Sequence, residues 1–114
     1  MAFTTATVTK IKRDRMQFQG LFTDMWAVKL TVNPDSVAAG AESADTFTIP
    51  GLALGDMVLG VATTVDWTAT GEASIEAWVS AANTLKVRIS NLHASSSVDL
   101  GSASWKVLIA RPVW

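Results

Sequence analysis

One histidine, ten serines and ten carboxylates are the groups in this chain that could move a proton or attack a substrate, and cysteine is absent. His93 sits in Asn91-Leu92-His93-Ala94-Ser95, with Asp99 a few residues on, so a Ser-His-Asp hydrolase can be written down. No nucleophile elbow accompanies these residues, and any chain with this many serines offers the same combination. A solvated loop histidine is the expected reading, and a hydrolase using His93 as base comes last among the functional ones. Most carboxylates neighbour Gly, Pro, Asn or Ser, where a short acidic side chain steadies a turn by accepting from nearby backbone N–H groups. Asp35 after Pro34 and Asp56 after Gly55 are of this type. A glycosidase needs two placed carboxylates, and nothing in the spacing singles two out. Calcium needs several oxygen ligands close together, yet no Asp-x-Asp-x-Asp run occurs. One histidine without a thiolate is a poor zinc set, and no Gly-x-x-x-x-Gly-Lys phosphate loop is present. The expectation is a chain that is not an enzyme, with no catalytic residues, no metal and no cofactor.

Two groups of residues break the pattern in ways that point to binding. The first is tryptophan: five of them, with no tyrosine. Tryptophan buries a large amphipathic surface, in cores and at interfaces. Trp26 and Trp105 alternate with aliphatic neighbours and belong to a core. Trp78 shares its face with Ser74, Glu76 and Ser80, Trp67 stands in a polar connection, and Trp114 ends the sequence. These three are expected at a contact between subunits; sugar stacking by Trp67 and Trp78 is the alternative. The second group is the basic stretch Lys10, Lys12, Arg13 and Arg15, interrupted by Ile11 and Asp14. It reads either as a charged edge that blocks non-specific strand pairing or as an arm that docks on a partner. Four charges without interleaved aromatic residues are a weak nucleic-acid signal.

These groups need a scaffold, and the composition says which kind. The chain has 114 residues, 49% of them hydrophobic and 17% charged, enough for one modest core. Thirty residues are Val, Ile or Thr, which favours strands. A net charge of −1 argues against a broad nucleic-acid face. No apolar run approaches a membrane span, and no secretory leader is visible at the start. The expectation excludes both nucleic acid and membrane as partners.

Period-two alternation then marks the strands. Residues 3–11 form a polar strand. In residues 26–32, Trp26, Val28, Leu30 and Val32 point one way and Ala27, Lys29 and Thr31 the other. Residues 36–44 read as a loop, and residues 45–49 as a strand. Residues 57–62 are apolar on both faces, as in a strand buried between two layers, with Gly60 marking a bulge or a close backbone approach. Residues 73–80 and 84–91 form a hairpin across Ala81-Ala82-Asn83. Residues 105–111 are the last strand, stopped by Pro112. Such spacing predicts an all-β fold: a single β-sandwich or jelly-roll-like domain of about seven or eight antiparallel strands with an N-terminal arm. Residues 1–20 are the arm or an edge strand, and residues 21–114 the sandwich.

From Asp45 onward the order of signals is similar to a known module. It runs Thr46-Phe47-Thr48-Ile49-Pro50-Gly51-Leu52-Ala53-Leu54-Gly55-Asp56, then the buried residues 58–61, then residues 77–91, Val98-Asp99, and the closing strand 105–112. Over residues 45–112 the chain resembles a β-rich module of small virion proteins of tailed bacteriophages, including head decoration (cement) and tail-associated proteins. The resemblance implies a non-enzymatic protein present in many copies, often trimeric, on the exterior of a symmetric capsid. It implies as partners the major capsid protein of the same phage and further copies of the chain. On that reading Phe3, Lys10, Lys12, Arg13 and Arg15 contact the shell, and Trp67, Trp78 and Trp114 the neighbouring subunits. A tail or fibre-associated domain and a carbohydrate-binding module are the alternatives.

Overall fold

The computed structural model describes residues 3–14, 20–64 and 73–114. Arg15 and Trp67 lie outside the described residues, as does the connection that carries Trp67.

Seven strands follow in order: β1 (Phe3–Asp14), β2 (Phe22–Pro34), β3 (Glu42–Thr48), β4 (Met57–Thr63), β5 (Ala73–Ala81), β6 (Thr84–Asn91) and β7 (Ala103–Pro112). They form a four-stranded sheet, β1-β2-β7-β4, and a three-stranded sheet, β3-β6-β5. Every pairing within the sheets is antiparallel. The sheets pack face to face as a β-sandwich, and the described residues include no helix.

Alternation builds the core directly. Trp26, Val28, Leu30 and Val32 of β2 meet Trp105, Val107 and Ile109 of β7 on one inner face, and Phe47, Leu85, Val87 and Ile89 supply the other. Phe3 reaches the same core, with its ring 6.2 Å from Trp105 and 6.4 Å from Phe47. Two tight turns need special backbone. Asn83, in the β5–β6 turn, takes φ 57°, which asparagine tolerates. Its Oδ1 accepts from Gly51 N at 2.8 Å, tying the hairpin tip to the β3–β4 loop. Gly51 itself has φ 93°, a region that disfavours any Cβ.

Of the two readings of the N-terminal segment, arm or edge strand, residues 3–14 take the second: β1 is paired with β2 along its length, as the edge strand of the sheet. Two expectations change. Phe3, expected at the shell, is 2% exposed and packs between the sheets, so its side chain has no surface to offer a partner. Residues 57–62 are not enclosed between layers: β4 is the other edge of its sheet, and Met57 and Leu59 are exposed. An apolar run does not by itself specify double burial, because an outer face can be apolar for other reasons. A smaller difference is that β3 begins at Glu42, where an ion pair from Glu42 to Arg88 (3.7 Å) spans the β3–β6 pair.

Because Phe3 is core, Phe3→Ala should cost about 3–5 kcal/mol in a urea titration. A detachable N-terminal arm would leave the midpoint unchanged.

Candidate docking face

The outer side of the four-stranded sheet is a trough of about 600 Å3, and its lining includes Lys10, Lys12, Lys29 and Lys106. These are four of the five lysines in the chain. The register places them. Lys10 stands opposite Lys29 across β1 and β2, and Lys29 stands opposite Lys106 across β2 and β7. Ala62 of β4 completes that row. The next row reads Lys12, Ala27, Leu108, Gly60. Three cations stand abreast, and the trough beside them is floored by Ala27, Leu59, Gly60 and Leu108.

Two bulges create this face. In β1, Val8 pairs with Leu30 and Lys10 with Lys29, so Thr9 is an extra residue. In β4, Val58 pairs with Ile109 and Gly60 with Leu108, so Leu59 is extra. An extra residue reverses the alternation beyond it and sharpens the local twist. Ala6 and Val8 face the core, and beyond Thr9 the register places Ile11 (39% exposed) and Arg13 on the same side at the rim of the sandwich, which turns Lys10 and Lys12 outward. Without the bulge, Lys10 and Lys12 would point into the core. Thr9 Oγ1 donates to the Lys29 carbonyl at 3.0 Å, which pins the bulge against β2. Each edge strand carries one of these bulges, Thr9 beside the lysine row and Leu59 beyond the Lys12–Ala27–Leu108–Gly60 row, and both favour the curl that makes a trough.

Electrostatically the row is unsettled. Like charges directly opposite on paired strands repel. The ion pairs among the described residues use Arg13, Arg88 and Arg111 and none of these lysines. Lysine stems can lie along an apolar floor while their ammonium groups stay in water, which fits the mixed lining.

The arginine of the basic stretch does something else. Arg13 pairs in register with Trp26, and its side chain turns to the inner face at the end of the sandwich. There Arg13 Nε donates to Asp24 Oδ2 at 2.7 Å and Nη2 donates to the same oxygen. Arg111 forks onto Asp56 through Nε (2.8 Å) and Nη2 (2.9 Å), and also donates to the Gly51 carbonyl at 2.8 Å. Both guanidiniums stand over the Trp26 ring, 4.9 Å and 5.2 Å from its centroid. The Arg111–Asp56 fork, one nitrogen to each carboxylate oxygen, is geometrically demanding and suits arginine. Hydrogen bonding to Asp24 raises the Arg13 pKa above its ordinary value, and Asp56 does the same for Arg111, against the opposing effect of burial. A raised value means the stabilisation is complete below the ordinary guanidinium pKa and is lost only as pH rises through the still higher folded-state value.

The tryptophans do not form one surface. Trp78 lies on the outer face of the three-stranded sheet, opposite Lys86. Lys86 Nζ and the Arg88 guanidinium stand over its ring at 5.8 Å and 5.2 Å, with Arg88 held by Glu76 at 2.8 Å. Cations of its own chain thus give Trp78 a local role and occupy space that a stacking sugar would need. Trp114 is 78% exposed beside Phe22, their rings 6.3 Å apart. Leu21 and Val113 are exposed next to them, joined by a 2.9 Å bond from Val113 N to the Leu21 carbonyl.

His93 is a loop fastener. Its Nδ1 accepts from the backbone N–H groups of Ser95 (3.1 Å) and Ser96 (3.0 Å), leaving Nε2 to carry the proton. Asp99 accepts from Gly101 N at 3.0 Å, in a turn of its own. Asn91, buried, steadies the same loop by donating to the carbonyls of Val37 (3.0 Å) and Ser96 (2.8 Å).

Compared with known protein families, curated proteins and solved structures, the chain has no match.

Of the residues singled out in the sequence, then, Lys10 and Lys12 come together on the outer face, while Phe3 and Arg13 go elsewhere. Lys29, Lys106, Leu59 and Leu108 join the face without having been singled out. The signal for Lys10 and Lys12 lay in the apolar spacing Ala6, Val8, Ile11, which steps by two and then by three.

Relieving the middle of the row should stabilise the free protein. Lys29→Gln removes both repulsions at once and should add about 0.5 kcal/mol. Raising salt from about 0.05 to 0.5 M should narrow the gap between variant and parent by screening the parent's repulsion. Paired urea titrations at the two salt concentrations measure both effects.

Proposed function

We propose that this chain is a structural docking protein, and that in the setting its resemblance implies it is a capsid decoration protein. It sits on the exterior of a tailed-phage head and lays the outer face of its four-stranded sheet on an acidic surface of the major capsid protein. The observation that carries this reading is the row Lys10–Lys29–Lys106, without carboxylate partners among the described residues, beside an apolar floor. A row of like charges weakens the fold that carries it, and an oppositely charged surface relieves that cost when it docks. The trough is built on paired strands, so little ordering is needed on binding. A standard interface takes roughly 800 Å2 from each partner. Repeated over a shell, such contacts add through multivalency even when each is weak. The exposed corner of Leu21, Val113 and Trp114 is the surface we assign to self-association into a cyclic oligomer, a trimer in the family's manner.

Co-sedimentation with shells assembled from the major capsid protein tests the reading. The parent protein should pellet with shells, and Lys29→Glu combined with Lys106→Glu should remain in the supernatant. Trp114→Ser should instead lower the solution mass measured by light scattering. A charge-reversed protein that still pellets fully would remove the face from the mechanism, and a parent that never pellets would remove the capsid.

A further inference from the structure

The trough has a shape and a charge pattern that specify its occupant more closely than an acidic surface does. We infer that it is a site for an amphipathic α-helix of a partner protein, lying across the strands with a stripe of carboxylates on Lys10, Lys29 and Lys106 and an apolar stripe on Ala27, Leu108 and Leu59. This rests on the docking reading for its choice of face, and it does not depend on the virion setting.

The spacing carries the inference. Neighbouring strands lie about 4.8 Å apart, so the lysine row repeats at that interval across β1, β2 and β7. Residues three and four apart on a helix are about 5–6 Å from one another along a single stripe. Residues sharing a face of an extended strand repeat at about 6.6 Å and drift out of step with the row. A helix crossing the strands keeps a carboxylate near each lysine. The second row, Lys12–Ala27–Leu108–Gly60, lies two residues along the strands, about 6.6 Å away, within the width of one helix. The face is therefore charged along one line and largely apolar along the parallel one, which is the complement of an amphipathic helix.

The same features disfavour other polyanions. Nucleic acid is usually gripped by stacking on aromatic rings and by arginine, and among the described residues neither lines this trough. Leu59, Gly60, Ala62 and Leu108 would lie idle against a phosphate backbone. A helix with both stripes uses them.

Fluorescence anisotropy with three labelled probes tests this on the full chain. The first is a peptide of about five helical turns with glutamates on one stripe and leucines on the adjoining one. The second has the same composition with the stripes scrambled, and the third is oligothymidylate. The striped peptide should bind the parent protein. Lys29→Gln with Lys106→Gln, and separately Leu108→Ser, should each weaken it about tenfold, while the melting temperatures show that the variants remain folded. Equal binding of the scrambled peptide would overturn the helix, since charge alone would then suffice. Tighter binding of oligothymidylate would overturn the choice of a protein partner, and no binding of any probe would overturn the site. If shells pellet the protein while the striped peptide does not bind, this inference fails and the capsid reading survives. If the peptide binds and shells do not, the inference stands and the capsid reading fails.

Discussion

Thr9 has no residue opposite it in the β1–β2 register, and that surplus position governs which side of the sheet carries charge beyond it. Strand side chains alternate with a period of two, so a single inserted residue exchanges the faces for everything beyond it. Upstream of Thr9 the inner positions are Phe3, Ala6 and Val8; downstream they are Ile11 and Arg13. The exchange brings Lys10 and Lys12 beside Lys29 and Lys106. It also delivers Arg13 to the inner end of the sandwich, where Asp24 and Trp26 receive it. The same inserted residue therefore sorts the basic stretch into an outward pair of lysines and an inward arginine. Leu59 does the corresponding work in β4, letting Val61 face the core while Leu59 itself stays on the trough.

The two kinds of cation are used in different ways. Arg13 and Arg111 are planar forks matched to Asp24 and Asp56, and they fasten β1, β2, β7 and the β3–β4 loop at one end. The fastening matters for the trough because it fixes the far end of β1, the strand that supplies two of the four lysines. Arg88 does similar work on the other sheet, with Glu42, Glu76 and Trp78. The lysines of the trough have no such partners among the described residues. Arginine here holds the molecule together, while lysine is held out toward whatever approaches.

The strands themselves were legible in the sequence because each follows from local alternation. Trp26 to Val32, Leu85 to Ile89 and Trp105 to Ile109 all face inward as their spacing requires. The hairpin at Ala82-Asn83 and the bulge beside Gly60 were signalled by the residues that favour them. What local pattern could not supply was register between strands distant in the sequence. Lys29 and Lys106 are 77 residues apart, and only the β2–β7 pairing sets them side by side. Each looked like an ordinary outward lysine on its own strand. The position of β4 at an edge is equally non-local, so an apolar run alone does not reveal that its outer face is open. Trp78 is out of place on a polar face, and the cations over its ring come from β6, which sequence alternation alone does not put beside it.

Edge strands that are regular and unbroken invite further strands to add to them, and through such addition sheets of separate molecules can merge into one. Here both edges of the four-stranded sheet, β1 and β4, are interrupted by a bulge. A chain approaching either edge meets a bent ladder whose hydrogen-bonding groups fall out of step part-way along. Growth of this sheet by edge addition is thereby discouraged, and neighbours must meet it through its faces or its ends. A molecule built this way can be crowded among many copies of itself and still keep each sheet its own.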